Sequence, residues 1–268
     1  MADHGIDIDH RPFLRMCCDG ETEKVKMALK KGVNLKAADS DGKTALIWAA
    51  DRGHVAVTEL LLKQPEVDVN RATNGGRTPL IMASCSGHVA VVDLILQQPG
   101  VDVNAANHTG RTALMYAAYK EHVDVLLLLL NISRVDANAA YNGGWTALHF
   151  AAWNGHNDVL NLLYNHPGIN LAATTKNNRQ TVLHFLAKRK PDPDFLRILL
   201  NNPNIDPNQP DLQGNTPIML LLQRSYDLQM YTESLQVFVD NDRVDLELKD
   251  QEGVGLEDMA RYLGDNDE

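Results

Sequence analysis

The sequence predicts an all-α repeat solenoid, and three observations lead to that prediction. A threonine-centred string occurs six times, at intervals of 34 or 35 residues. The apolar residues between these strings follow helical spacing. With 268 residues and 44% hydrophobic content, the chain has enough apolar material for a packed core. A fixed period of this length is typical of stacked units that share one core with their neighbours.

The repeated string is a threonine, then alanine, proline or valine, then leucine or isoleucine. Threonine is a good helix N-cap, and proline fits the first helical position. A glycine stands two residues before the threonine in five of the six copies, where a turn needs a positive φ. Each string is therefore expected to close a turn and begin a helix. The six threonines are Thr44, Thr78, Thr112, Thr146, Thr181 and Thr216.

Each unit continues with a second helix. A small pair such as Ala49-Ala50 gives the first helix a thin flank, so that neighbouring units can approach closely. A Gly-His corner such as Gly53-His54 precedes the second helix, which ends in a stop that contains a proline. A short extended segment, Val67 to Asn70 in one unit, then leads into the next turn.

This pattern resembles the ankyrin repeat family, whose turn, Thr-Pro-Leu-His string, alanine pair, Gly-His corner, leucine-rich helix and Asp-Val-Asn segment recur over almost the whole chain. The resemblance implies helix-turn-helix units with β-hairpin loops, about six clear repeats and a degenerate cap at each end. The segment from Arg11 to Gly20 has the pattern of the first cap, and Asp250 to Leu263 that of the last. No stretch remains for a separate catalytic domain, so we expect no enzyme activity and no cofactor.

We expect a flexible amino terminus over 1–10, a single ankyrin-repeat domain over 11–263 and an acidic tail over 264–268. The acidic carboxyl end is either a cap that keeps the solenoid soluble or a docking strip for a basic partner. The units start near 11, 39, 73, 107, 141, 176, 211 and 250.

Two departures from the pattern predict local differences. In the unit that starts near 176, Arg179 takes the glycine place and Lys188 to Pro191 replaces the Gly-His corner, so we expect this unit to be distorted. An insertion around Ser225 to Glu233 predicts a longer helix or a loop before the last turn.

Charge and composition limit the classes of partner. The formal net charge is −10, of which Asp240 to Glu268 carries −8, so the remaining surface can hold local basic patches. Even so, basic groove positions are few and the total charge disfavours nucleic acid. The first residues lack a signal-peptide pattern, the longest leucine run is too short to cross a bilayer, and the three cysteines have no disulfide spacing. We expect an intracellular protein, cytoplasmic and/or nuclear, with no membrane partner.

The histidines invite a metal or catalytic hypothesis, but most fall on motif positions. The family uses imidazole there to hydrogen-bond loops between repeats. His4, His10, Cys17 and Cys18 cluster without metal-ligand spacing, and no phosphate loop, nucleophile elbow or carboxylate pair is present. We therefore expect neither a catalytic site nor a metal site. The histidines on motif positions are His54, His88, His122, His149, His156 and His184.

Positions that do not repeat are the candidates for recognition, because a scaffold position is constrained to recur. In the ankyrin family the partner usually binds the concave side, formed by hairpin tips and first helices. Tryptophan and tyrosine beside arginine are typical of an interface hot spot. The alternative is that one tryptophan packs on the neighbouring repeat. The predicted partner-binding residues are Arg77, Arg111, Tyr119, Lys120, Trp145, Trp153 and Asn154.

The leading hypothesis is a non-catalytic scaffold, adaptor or inhibitor that binds a protein partner and is monomeric outside its complex. A second makes the chain a substrate of the asparaginyl hydroxylase that also acts on hypoxia factors, with a leucine eight residues before the target. The same asparagines also stabilise the hairpin, so a purely structural role stays open. A third is a bacterial effector that mimics host ankyrin proteins. The candidate hydroxylation sites are Asn70, Asn104 and Asn138.

Overall fold

The computed structural model describes residues 11–189, 192–223 and 228–259. Its contacts divide the chain into unit 1, which ends at Asp136, and unit 2, which starts at Ala137. The described ranges contain fourteen helices of at least six residues and a short helical turn over 256–259. Unit 1 contains α1 (Arg11–Cys18), α2 (Thr22–Lys30), α3 (Ala45–Arg52), α4 (Val55–Leu62), α5 (Pro79–Ser86), α6 (Val89–Leu96), α7 (Ala113–Lys120) and α8 (Val123–Leu130). Unit 2 contains α9 (Ala147–Asn154), α10 (Asn157–Asn165), α11 (Val182–Ala187), α12 (Pro193–Leu200), α13 (Pro217–Leu222) and α14 (Leu228–Val239).

The threonines begin the first helices as predicted. Thr44 Oγ1 accepts a hydrogen bond from the backbone N–H of Ile47 at 3.4 Å, and Thr78 does the same for Ile81 at 3.3 Å. An N-cap of this kind is worth about 1 kcal/mol of helix stability. At the other end of α3, Gly53 has a φ of 75°, which ends the helix and aims the chain into α4.

Within each unit the core lies between successive first helices, and also between first and second helices such as α3 with α4 and α13 with α14. In unit 1, α1, α3, α5 and α7 pack in sequence, and in unit 2 α9, α11 and α13 do so. Ala49 and Ala50 are fully buried, which fits the close approach expected of the small pair. Val57 and Leu61 of α4 are also fully buried. Burying such an aliphatic side chain stabilises the fold by about 1.5–3 kcal/mol.

The expected β-hairpin loops form without regular strands in the described residues. The described residues contain no strand, only the isolated bridges Ala38 to Thr44, Ala106 to Thr112 and Lys249 to Gly255. The segment expected to be extended from Val67 to Asn70 ends in a turn, because the N–H of Asn70 donates to Asp68 Oδ1 at 2.9 Å. A short carboxylate side chain closes such a turn two residues ahead of itself.

The unit from residue 176 keeps the repeat geometry with local changes. Arg179 has a φ of 55° and so adopts the left-handed conformation of the glycines it replaces. In place of the Gly-His corner, Asp192 caps α12 by accepting a hydrogen bond from the N–H of Asp194, and Pro193 begins the helix. Helix α11 has six residues, as α13 does, and the substituted corner sets this unit apart.

The insertion lengthens a helix. The second helices α4, α6, α8 and α12 have eight residues, whereas α14 has twelve. The prediction of a longer helix is therefore confirmed over 228–239, while 224–227 lie outside the described residues.

Both ends of the described chain place apolar side chains on the adjacent repeat. Phe13, Leu14 and Cys17 of α1 are buried in one cluster with Leu46 of α3. At the other end, Met259 is 8% exposed and clusters with helix α13. The amino terminus over 1–10 and residues 260–268, with the acidic tail, lie outside the described residues. Among the helices that the structure describes, none combines the length and apolarity needed to span a bilayer.

Candidate partner-binding surface

The predicted cations of unit 1 lie over tyrosine rings, in what we call the unit 1 tip cluster: Arg77, Arg111, Tyr116, Tyr119 and Lys120. Arg77 Cζ lies 5.5 Å from the centroid of Tyr116. Arg111 Cζ lies 5.9 Å from that of Tyr119, and Lys120 Nζ lies 5.4 Å from the same ring. Tyr119 is 36% exposed, whereas Tyr116 is buried and its hydroxyl accepts a hydrogen bond from Asn107. The cluster therefore exposes one tyrosine with cations above it.

Cys85 belongs to the same surroundings. Burial raises the pKa of its thiol, the positive charges of Arg77 and Lys120 lower it, and the carboxylate of Asp51 raises it again. The two cations thus both act on the end of helix α5.

A related arrangement one repeat earlier centres on Trp48, which the sequence prediction did not single out. Lys43 Nζ lies 4.0 Å from the centroid of Trp48 and pairs with Asp51 Oδ2 at 3.1 Å. The indole N–H of Trp48 donates to Asp39 Oδ2 at 3.0 Å. The missed signal is the repeat register, since Trp48, Tyr116 and Phe185 all stand four residues after the motif threonine.

The two tryptophans of unit 2 form an aromatic cluster, named here the unit 2 indole cluster: Trp145, Trp153, Phe150, Phe185 and Arg189. The centroids of Trp145 and Trp153 are 5.8 Å apart, so the structure brings these two predicted residues together. Both indoles are half-buried. Trp145 lies 4.4 Å from Phe185 of the next repeat, and Trp153 lies 5.9 Å from it. The alternative of packing on a neighbouring repeat therefore applies to part of each ring.

Arg189 adds a cation to this cluster. Its Cζ lies 4.4 Å from the centroid of Trp153, a distance typical of a cation–π contact worth about 0.5–1 kcal/mol at an exposed site. Asn154 is half-buried beside the cluster and its Nδ2 donates to the carbonyl of Phe150 at 2.9 Å. That bond ties Asn154 to the end of α9.

The tip position of the unit that starts near 176 is buried. Gln180 stands where other units carry Lys43 or Trp145, yet it is 3% exposed. Its Nε2 donates to Asp211 Oδ2 at 2.9 Å, and its Oε1 accepts from Lys188 Nζ at 3.0 Å. Asp211 is itself buried, and a buried carboxylate needs donors, so Gln180 is drawn inward.

Three motif histidines hydrogen-bond the last turn of the first helix in the preceding repeat. His54 Nε2 donates to the carbonyl of Cys18 at 2.8 Å, His88 to Asp51 at 3.0 Å and His122 to Cys85 at 3.1 Å. These bonds join neighbouring repeats, as the resemblance implies, but their acceptors lie at helix ends and not in loops.

His149 and His184 are more deeply placed than these three. Each is fully buried, each accepts the N–H of its motif threonine at Nδ1, and each donates from Nε2 to a carbonyl of the next loop, that of Ala173 or Asn215. Burial lowers the pKa of each to about 4, against the opposing effect of these carbonyls. Both rings are therefore neutral and structural at pH 7.

Comparison with known families agrees with this architecture. The family model described as ankyrin repeats (3 copies) matches residues 13–107 and 99–175, more than half of the chain. The chain belongs to the ankyrin repeat family. Ankyrin repeats generally mediate protein–protein interaction, and the family is typically non-catalytic.

Several named proteins share short stretches with this ankyrin chain. Acyl-CoA-binding domain-containing protein 1 of Arabidopsis thaliana is 43% identical over 44 residues, which cover 16% of this chain and 13% of that protein. Acyl-CoA-binding domain-containing protein 2 of the same plant is 39% identical over 44 residues, 16% of this chain and 12% of its own. Osteoclast-stimulating factor 1 of Monopterus albus is 35% identical over 69 residues, 26% of this chain and 32% of its own. The matches thus span a third or less of each relative.

The candidate hydroxylation sites link neighbouring ankyrin loops. Asn70 Nδ2 donates to the carbonyl of Gly100 at 2.8 Å, while its Oδ1 accepts the N–H of Asp102 at 2.8 Å. We call this pair of bonds an asparagine bridge. Asn104 makes the same bridge to the loop at 134–136, and Asn138 to the loop at 168–170.

A fourth bridge was not singled out by sequence. Asn208 donates to the carbonyl of Arg243 at 2.7 Å and accepts from the N–H of Asp245 at 2.8 Å. The signal was present, since Leu200 stands eight residues before it, but Pro207 replaces the valine of the pattern. The bridges give these asparagines a structural role, and their hydroxylation stays a prediction.

Within the described ranges, no three or more His, Cys, Asp or Glu side chains converge in the way that a metal ion requires.

Proposed function

We propose that this ankyrin-repeat chain is a non-catalytic scaffold, adaptor or inhibitor that holds a protein partner against its turn tips and first helices. The observation on which the proposal depends is the unit 2 indole cluster, where two half-buried tryptophans and a stacked arginine meet at one place. Tryptophan, tyrosine and arginine dominate the energetics of protein interfaces.

The geometry suggests how each residue would contribute. Phe185 packs against both Trp145 and Trp153, so these rings lose little conformational freedom when a partner covers them. Arg189 lies over Trp153 and can pair with a carboxylate of the partner while it keeps its ring contact. The unit 1 tip cluster offers the same chemistry with Tyr119, Arg111 and Lys120.

The two tryptophans are expected to differ in their roles. Trp145 packs at 4.4 Å on Phe185, so its removal lowers stability as well as binding. Trp153 makes longer ring contacts and mainly stabilises the complex. Truncation of a hot-spot aromatic costs about 2 kcal/mol or more, and about 1.4 kcal/mol corresponds to tenfold in Kd.

Affinity purification followed by a quantitative binding assay tests the proposal. Trp153→Ala and Tyr119→Ala should each weaken binding of the recovered partner by at least about tenfold. The controls are Ile198→Ala on α12 and Leu127→Ala on α8, which remove exposed apolar side chains from second helices. Equal binding by the tip variants and these controls would contradict the proposal.

A further inference from the structure

The junction between the first two repeats lacks the asparagine bridge that links neighbouring repeats at other junctions. Lys36 stands 34 residues before Asn70 and takes its place. The backbone there is the same, because the N–H of Lys36 donates to Asn34 Oδ1 at 3.0 Å as that of Asn70 donates to Asp68 Oδ1 at 2.9 Å. An ammonium has donors but no acceptor, so Lys36 cannot accept a backbone N–H.

The groups that a bridge would bind are the carbonyl of Glu66 and the N–H of Asp68, which correspond to those of Gly100 and Asp102 in the next junction. No protein group of the described residues makes a hydrogen bond to either of them. Both therefore stay accessible to a partner with one donor and one acceptor.

A cavity of about 390 Å³ opens at these two groups. Its lining includes Lys36, Glu66 and Asp68, the apolar side chains of Leu35, Leu46 and Val67, and the start of α3. Arg71 also lines it. The cavity is thus apolar in part and ends on an available donor and acceptor, as sites for specific small groups are.

We propose that this junction is a binding site for the asparagine side chain of an extended peptide. The carboxamide would donate to the Glu66 carbonyl and accept the Asp68 N–H, as that of Asn70 does with Gly100 and Asp102. The aliphatic part of the peptide would lie against Leu35 and Val67.

A nuclear magnetic resonance titration of the full chain tests this site. The probe is the end-capped peptide Val-Asp-Val-Asn-Arg-Ala, the sequence of residues 67–72. The backbone amide resonance of Asp68 should shift saturably with this peptide. A peptide with aspartate in the asparagine place can accept but not donate, so it should bind at least about tenfold more weakly.

Matched variants separate binding at the junction from general effects. Lys36→Asn should form the missing bridge from within, raise the melting temperature and abolish the shift of the Asp68 amide. Ala172→Asn supplies the asparagine place of a unit 2 junction and should leave the titration unchanged. Asn70→Lys should open a second site, at which the Asp102 amide responds to the peptide.

Three results would overturn the proposal. They are an Asp68 amide that does not shift, an equal response to the two peptides, and a response that persists in Lys36→Asn.

Discussion

The neutral, buried state of His149 and His184 predicts that acid weakens unit 2 well above the pKa of its carboxylates. Burial lowers both pKa values from 6.5 to about 4. The unfolded chain therefore binds more protons than the folded chain between these values, and the free energy of unfolding falls as the pH falls through that window. Above about pH 6.5 the effect is absent, and below about pH 4 it is complete.

The magnitude follows from linkage. Between pH 7 and pH 5 each histidine should lower the free energy of unfolding by about 2 kcal/mol, since one pKa unit corresponds to about 1.4 kcal/mol. Two such groups amount to about 4 kcal/mol, a large part of the total stability of a typical domain.

Urea denaturation at pH 7 and pH 5, followed by tryptophan fluorescence, measures the loss. The next repeat indicates which substitution to make. Met219 stands three residues after Thr216, as His184 does after Thr181, and its Sδ accepts the N–H of Thr216 at 3.4 Å. His184→Met should cost stability at pH 7, where the bond to Asn215 is lost, yet reduce the loss between pH 7 and pH 5 by about 2 kcal/mol. An unchanged pH dependence in His184→Met would refute the reasoning.

Two further predictions concern packing between repeats, and a third concerns modification of the asparagines. Gly42→Ala should lower the melting temperature more than Gly32→Ala. Both glycines have a positive φ, so the backbone strain is common to the two variants. A Cβ at Gly42 would lie 2.7 Å from the backbone nitrogen of Asn74, whereas a Cβ at Gly32 meets nothing within 4 Å. Equal losses would show that backbone strain alone decides the cost. Removal of residues 250–268 should lower the melting temperature and increase aggregation, because Met259 would no longer cover α13; an unchanged melting temperature would argue against a cap. If the source organism has the hydroxylase, mass spectrometry of the native protein should find a gain of one oxygen on at least one of Asn70, Asn104 and Asn138. Unmodified peptides at all three sites, in the presence of active enzyme, would exclude hydroxylation.

The sequence by itself determined the repeat, its period and the place of each helix. Capping depends on groups a few residues apart, so Thr44 and Gly53 could be located without any tertiary information. The neighbouring tryptophans could also be predicted, because Trp145 and Trp153 lie in one repeat whose geometry is known from its pattern.

Only the tertiary structure decided what happens between repeats. Gln180 is buried because Asp211, 31 residues later, needs a donor, and Trp145 is partly covered because Phe185 reaches it from the next repeat. The site at Lys36 likewise exists because Glu66 and Asp68, about one period later, line the same cavity as Lys36. Such contacts join residues about one period apart, and their strength depends on distances that a linear pattern does not specify.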